Sequence, residues 1–470
     1  MSGIVPVAWD HLAYQTNLLE PVSRVVHRME RRGTPVDVEA LRAIEAAMTT
    51  RAGELRKDLA RWVGPGREVN WNSWQQLAAW LHGSKEDGGL GLDPSPYCKK
   101  GEVPDGEIKT DDRALEWVAG HSEEHRPHVQ NLRLLRQCER MARYARDWLE
   151  KGIPHDDGTF RLHPSFGLAS DNDYRPGAVT GRFGVKNPPL NQVPRNPSKD
   201  PAGMRRAFVA PPGHRLIVVD YSQLEVVILA HLIAVLFGDD DSLVKAVRSN
   251  ADIHAIGAHR IFGELAGDAE VAAVTDLKRF KTEPRLSLLR DITKTGVYGK
   301  NYGKSKKGFA NSFFLPDGSP LGMERAELLV DGLDATYPGV PRYQAFIREW
   351  IERELFIATL FGRWQPTPLA RDRKQGNRNR AWRQALNYPM QGGGQEIMAL
   401  ALIAIEGDPR LRELGFEVIL VVHDEIVGYA PEEHADEALR LVEEHMVNAV
   451  ALLAPLRAKG HHGANWLEAK

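Results

Sequence analysis

Two carboxylate groups stand where apolar strands should run on. Leu216, Ile217, Val218 and Val219 lead straight into Asp220, and Val418 to Val422 lead into His423, Asp424 and Glu425 before Ile426 and Val427 resume. Burying an unpaired carboxylate costs several kcal/mol, so something must compensate these acids. Aspartates at the ends of neighbouring strands of one sheet can share two divalent cations. Cations about 3.5–4 Å apart clamp the attacking and leaving oxygens of an in-line phosphoryl displacement. Carboxylate oxygens suit Mg²⁺, which keeps its other positions for water and substrate phosphates. Taken alone, either aspartate reads first as a turn or cap residue. Two of them in one chain weaken that reading without defeating it.

A second group is RDITKTGVYGKNYG, Arg290 to Gly303. On a helix, Arg290, Lys294 and Tyr298 share one face and Tyr302 continues it. Two cations in line, backed by rings, suit a triphosphate whose base and sugar lie on the next turn. The competing reading is a solvated basic face with a tyrosine packed into the core. Gly296, Gly299 and Gly303 each cost up to about 1 kcal/mol in a helix interior, and their spacing suggests close approach by something flat.

The elements that must position these residues follow from the pattern of the 470-residue chain. A net charge of −2 excludes a uniformly basic polyanion binder, so any such site must come from local clustering. Only Cys98 and Cys138 occur, which excludes a disulfide scaffold and fits a reducing cytoplasm. No leader pattern and no apolar run of about 18 residues is present, so a cytoplasmic protein with no membrane contact is expected. The first 160 residues read as mainly helical. A helix from Pro21, a turn at Arg32 to Pro35 and a second helix capped by Asp37 run to Met48; a surface loop spans Glu86 to Asp105, and a long helix Val129 to Glu150. Extended segments begin near Leu162, with Leu216 to Asp220 the clearest strand and Leu224 to Leu236 the helix after it. Residues 242 to 355 return to helical periodicity. A helix from Arg383 to Ile405, the acid-bearing hairpin and a helix from Glu433 to Leu452 complete an α+β chain: a small sheet carrying acids between two helical regions.

VVDYSQLE (218–225), RDITKTGVYGKNYG and VVHDEI (421–426) resemble, in order, the first palm motif, the fingers helix and the second palm motif of family-A DNA polymerases, the group of bacterial DNA polymerase I and several phage enzymes. TGRF at Thr180, LNQVP at Leu190, DIH at Asp252, YPGV at Tyr337, TLFGR at Thr359, RQALNYPMQG at Arg383 and GANW at Gly463 lie between or beyond them. The likeness runs from Leu19 to Trp466. It implies a right-hand architecture of thumb, palm and fingers, with a small antiparallel palm sheet and two mainly helical subdomains. The boundaries expected are a short segment 1–18, a thumb-like region 19–160, palm 161–235, fingers 236–369 and palm again 370–470.

By this resemblance Asp220 and Asp424, with the Tyr221 carbonyl, hold two Mg²⁺ ions, and Glu425 helps to position metal or primer end. Arg290, Lys294 and His254 hold the triphosphate, Lys294 being the proton donor because a guanidinium does not give up its proton. Glu225, hydrogen-bonded to Tyr302, is the side chain that leaves no room for a 2′-hydroxyl, and Gln223 and Tyr298 complete the nucleotide site. Arg182, Asn191, Gln192, Arg383, Asn387 and Gln391 meet the primer–template, with His423 under the primer end. Minor-groove acceptors are shared by all correct pairs, so polar donors there feel geometry without reading sequence. The expected partners are primer–template DNA and deoxynucleoside triphosphates, met by a monomer in the cytoplasm, or in a host's cytoplasm if phage-encoded.

The sequence departs from the family at Val226-Val227, where Leu-Arg is usual, and in a longer stretch between His254 and Arg290, so that Glu264 to Pro284 reads as an insertion. Asp239-Asp240-Asp241 reads as a solvated loop, and His461-His462 as surface. A single-chain RNA polymerase shares this chemistry, but Glu225 argues against it. A catalytically silent primer–template binder is the reading from another class, and the presence of all the acids argues against that. With only about 20 residues before Leu19, no 3′→5′ proofreading is expected, leaving that task to a separate exonuclease or other replisome protein; removal of a mismatched primer end by the pure protein would contradict this. In the family a tyrosine at the position of Tyr298 goes with ready use of dideoxynucleotides, and this leans towards a phage-type enzyme. Equal concentrations of dideoxy and natural nucleotide should therefore terminate synthesis efficiently on a sequencing gel, whereas a need for large dideoxy excess would refute the role of Tyr298.

Overall fold

A computed structural model describes residues 10–94, 108–168, 181–195, 199–313, 315 and 321–470. Cys98, Thr180 and most of the loop expected over Glu86 to Asp105 lie outside the described residues. The chain opens with helix α1 (Glu20–Arg32), strand β1 (Thr34–Val36) and helix α2 (Val38–Val63). Asp37 caps α2 as expected, its carboxylate accepting from the Glu39 and Ala40 amides. The segment around Thr34 is a strand rather than only a turn, because it finds a partner in β2 (Phe160–Leu162). Between them α3 (Arg126–Lys151) lies along α2, and Leu41, Leu55 and Leu59 are buried on α2 as Leu132, Leu135 and Met141 are on α3.

The sheet that carries the acids has four antiparallel strands. In chain order they are β3 (His214–Tyr221), β4 (Glu417–Val422), β5 (Glu425–Pro431) and β6 (Ala458–Gly463), and in space the order is β6-β3-β5-β4. Behind it, α4 (Leu224–Phe237) is apolar nearly all round and buried from Leu224 to Ala234, as an element packed on several sides must be. Val226 and Val227 are within that buried run. Helix α5 (Ile253–Ala258) and helix α6 (Pro284–Asn301) then carry the second chemical group. The long α7 (Gln375–Gly407) crosses beside α4. A Cβ at Gly393 would stand 2.8 Å from Leu360, and one at Gly394 3.3 Å from Leu224, so small residues let this helix approach both neighbours. Helix α8 (Ala435–Val447) covers β3 and β6.

The stretch 264–284 is packed, not a loose excursion. It folds as short helices at Ala269–Ala272 and Arg279–Thr282, and Val271, Val274 and Phe280 form a second buried cluster with Ala255 and Ala258 of α5 and Leu286 of α6. The acidic run at 239–241 is more than a solvated loop. Asp241 accepts from the Leu243 amide at 2.9 Å and the Gly339 amide at 2.7 Å, while Asp239 pairs with Arg248 at 3.0 Å and Asp240 with Lys245. On β6, His462 meets Asp436 at 3.0 Å and holds no ligand set.

One buried acid lies away from the sheet. Glu396 of α7 is 1% exposed and accepts from the Thr359 hydroxyl at 2.5 Å. Burial pushes its carboxyl up to about 7, against the lowering effect of Arg363 and of its hydrogen bonds. Between its ordinary range and about 7 the folded chain holds a proton that the unfolded chain has released, so this group's contribution to stability is lost as pH rises through that window. Urea unfolding of Glu396→Gln should show a shallower loss of stability between pH 5 and 7 than the wild type.

Candidate active site

Strand pairing brings the acids together. Glu425 lies directly across from Asp220 in the β5–β3 register, and the Tyr221 amide donates to the Asp424 carbonyl at 3.0 Å. It is therefore Glu425, not Asp424, that faces Asp220 across the ladder. Asp424 sits in the two-residue turn between β4 and β5 beside His423, whose φ of 57° is a left-handed value that histidine tolerates better than most side chains. Asp220 and Asp424 open onto a cavity of about 380 Å³, whose lining includes Tyr221. Burial, helped by the charges of Glu225 and Asp220 and opposed by Arg182, pushes the Asp424 carboxyl up to about 6. Asp220 accepts from Arg195 at 3.0 Å. Hard carboxylate oxygens, one of them already matched to a cationic side chain, fit divalent cations such as Mg²⁺. Among the described residues no group of three or more His, Cys, Asp or Glu could hold a metal ion, so the two aspartates would need backbone, water and substrate oxygens to complete a shell.

Glu425 is held away from the cavity. It is 3% exposed, accepts from Trp466 Nε1 at 2.6 Å and from Arg205 at 3.3 Å, and pairs with Lys470. The Arg205 guanidinium stacks 3.9 Å over the Trp466 ring. The side chain expected to help position metal or primer end is thus outside the cavity lining, although it stands across the ladder from Asp220.

The opposite wall is α6. Arg290, Lys294 and Tyr298 all face the cavity, as their spacing requires, together with His254 and Tyr302. Asp252 organises this wall. Its Oδ1 caps α5 through the His254 and Ala255 amides, both at 3.1 Å, and its Oδ2 accepts from Arg290 Nε at 2.9 Å and lies 3.4 Å from Lys281 Nζ. His254 is buried, and burial lowers it to about 4, so it is neutral at pH 7; its Nδ1 has no hydrogen-bond partner among the described residues. Its ring centroid is 5.9 Å from that of Tyr298. Lys294 is exposed and has no ion-pair partner among the described residues.

The flat neighbours expected at the α6 glycines are protein. A Cβ at Gly299 would stand 2.5 Å from the Phe309 ring and one at Gly296 2.9 Å from Leu329, while Gly303, at φ 72°, lies against Trp382 and Arg383. Chain packing, not ligand approach, accounts for them.

Glu225, at the start of α4, receives the Tyr302 hydroxyl as expected, and also the Arg182 guanidinium. Arg182, Gln223 and Glu225 line the cavity. The other expected DNA contacts lie outside its lining. Gln192 accepts from the Tyr144 hydroxyl at 2.8 Å, Asn387 donates to the Arg383 carbonyl at 2.9 Å, Gln391 bonds Tyr302, and His423 is exposed at the hairpin turn. The side-chain oxygens of Asn191 and Asn387 are buried without a partner among the described residues.

Residues 38–468 match the family model of DNA polymerase family A. The chain belongs to that family. It is 31% identical over 464 residues to the thermostable DNA polymerase I of Thermus filiformis, covering 96% of this chain and 48% of that protein. It is 30% identical to DNA polymerase I of Chloroflexus aurantiacus, covering 98% and 44%. The chain thus spans about half the length of these relatives. Among solved structures, the POL domain of Pol1 from M. smegmatis, in complex with DNA primer-template and dNTP, matches with a TM-score of 0.78 at 26% identity, covering 97% of this chain and 71% of that one. The fold is accordingly the α+β polymerase fold. Within this family-A chain, Arg195 and Arg205 are the partners of the acids that sequence reasoning missed. They lie 25 and 220 residues from Asp220 and Glu425 in sequence, and no local signal marks them.

Proposed function

We propose that the chain is a template-directed DNA polymerase that adds deoxynucleotides to a primer 3′-hydroxyl. The observation that carries this reading is a single cavity with Asp220 and Asp424 on one side and Arg290, Lys294 and His254 on the other. Acids for cations and cations for phosphates, across one cleft, are the parts phosphoryl transfer needs. The relative from M. smegmatis, described with DNA primer-template and dNTP, supports the same substrates for this chain. The expected segments 19–160, 161–235, 236–369 and 370–470 serve in this reading as thumb, palm, fingers and palm.

Asp220 and Asp424, with the Tyr221 carbonyl, would hold two Mg²⁺ ions, which when bound supply Lewis-acid activation of the primer hydroxyl and charge neutralisation on the triphosphate. Arg290 and Lys294 bind the triphosphate, and the neutral His254 adds a hydrogen bond. Lys294 gives its proton to the departing pyrophosphate. Tyr298 and Gln223 frame the base and sugar, and Glu225 packs under the sugar. Arg182, Asn191, Gln192, Arg383, Asn387 and Gln391 meet the primer–template, and His423 lies near the primer end. Glu425, held by Trp466 and Arg205, helps to position metal or primer end through the hairpin that carries Asp424. For these 470 residues the proposal is extension without 3′→5′ proofreading, by a cytoplasmic monomer in phage-type replication. Tyr298 supports the last point, while the relatives described above are bacterial.

Asp424→Ala is the test. Primer extension with Mg²⁺ should fall on the order of 10³-fold, since several kcal/mol of transition-state stabilisation is lost, while primer–template binding by anisotropy is kept. A wild type that fails to extend a primer would end the enzyme reading.

A further inference from the structure

The carboxylate of Glu225 is held at both oxygens. Oε2 receives the Tyr302 hydroxyl and Oε1 receives Nη2 of Arg182. The pair is largely withdrawn from water, with the Glu225 side chain 10% exposed and that of Arg182 34%. Two donors on different oxygens fix the plane of a carboxylate as well as its position, which one donor cannot do.

The two donors come from different parts of the molecule. Tyr302 ends α6, the helix that also carries Arg290 and Lys294. Arg182 belongs to the segment leading into the short strand Gly184–Lys186, and the next residue, Phe183, donates its amide to Gln395 of α7 at 3.2 Å. Glu225 itself lies in the first turn of α4, against which α7 packs. Arg182 is thus anchored to the same body as Glu225, whereas Tyr302 is carried by the nucleotide-facing helix and shares its hydroxyl between Glu225 and Gln391 of α7. The arginine contact does not run through α6, so it holds wherever that helix stands.

We infer that Arg182 is a positioning residue for sugar discrimination: it locks the Glu225 carboxylate in the plane that excludes a 2′-hydroxyl, whatever the position of α6. The inference rests on the reading of Glu225 given under Proposed function. It gives Arg182 a task beyond the contact with primer–template: one nitrogen of its guanidinium holds the gate, which leaves the others for DNA. Loss of that contact frees the Glu225 side-chain torsions and lets the carboxylate swing from under the sugar, so ribonucleotide use rises relative to deoxynucleotide use, whatever both lose through the primer–template contact.

The experiment is the ratio of kcat/KM for a deoxynucleotide to that for the matching ribonucleotide, a quantity in which the fraction of active protein cancels. Arg182→Ala should lower the ratio about tenfold, the worth of one charge-assisted contact. Arg182→Lys, which keeps charge but not the planar fork, should restore part of it. Glu225→Ala should lower the ratio further, and adding Arg182→Ala to it should change nothing more. If Arg182→Ala weakens deoxy- and ribonucleotide use equally while Glu225→Ala still collapses the ratio, Arg182 is only a DNA or scaffold contact and the inference is wrong. If Glu225→Ala leaves the ratio unchanged, the reading of Glu225 falls and takes the inference with it.

Discussion

Charge compensation at the end of one antiparallel strand pair governs the rest of this structure. The β3–β5 ladder puts Asp220 opposite Glu425, and the hairpin turn and the start of α4 add Asp424 and Glu225. Four carboxylates this close would repel one another, and three are answered by an arginine each: Arg195 for Asp220, Arg205 for Glu425 and Arg182 for Glu225. Asp424 has no such partner among the described residues, and burial pushes its carboxyl up to about 6. A cation entering the cavity would there meet a buried carboxylate that no side chain among the described residues pairs.

The three arginines are unequal in depth, and this sorts their acids by task. Arg205 and Glu425 are both 4% exposed at the side chain and are locked further by Trp466, so that pair is part of the foundation. Arg195 is 64% exposed, and a contact of that kind is cheap to break. Asp220 can therefore change partners readily and Glu425 cannot. The sheet in this way leaves one acid open to the cavity and keeps its neighbour buried.

How much of this could be read from residues alone depends on how local each interaction is. The face shared by Arg290, Lys294 and Tyr298 is set by helix geometry and was legible, as were the strands ending near Asp220 and Asp424 and the Asp37 cap. The bond between Tyr302 and Glu225 was legible only through family resemblance. The burial of Glu425 was not, because its partners Arg205 and Trp466 are 220 and 41 residues away in sequence. The glycines of α6 were misread for a related reason: spacing announces that something comes close, but Phe309 and Leu329 are supplied by tertiary packing. The stretch 264–284 stood out in sequence, yet its buried cluster with α5 and α6 did not.

That cluster, together with Asp252, bears on how the phosphate-facing wall can move. One carboxylate closes the N-terminus of α5, grips Arg290 of α6 and reaches Lys281 of the insertion, and apolar packing beneath it joins the same three elements. They are riveted into a single plate. A shift of Arg290 would therefore carry His254 with it through Asp252 and the shared apolar cluster, so the two cavity-facing groups would advance or withdraw in concert.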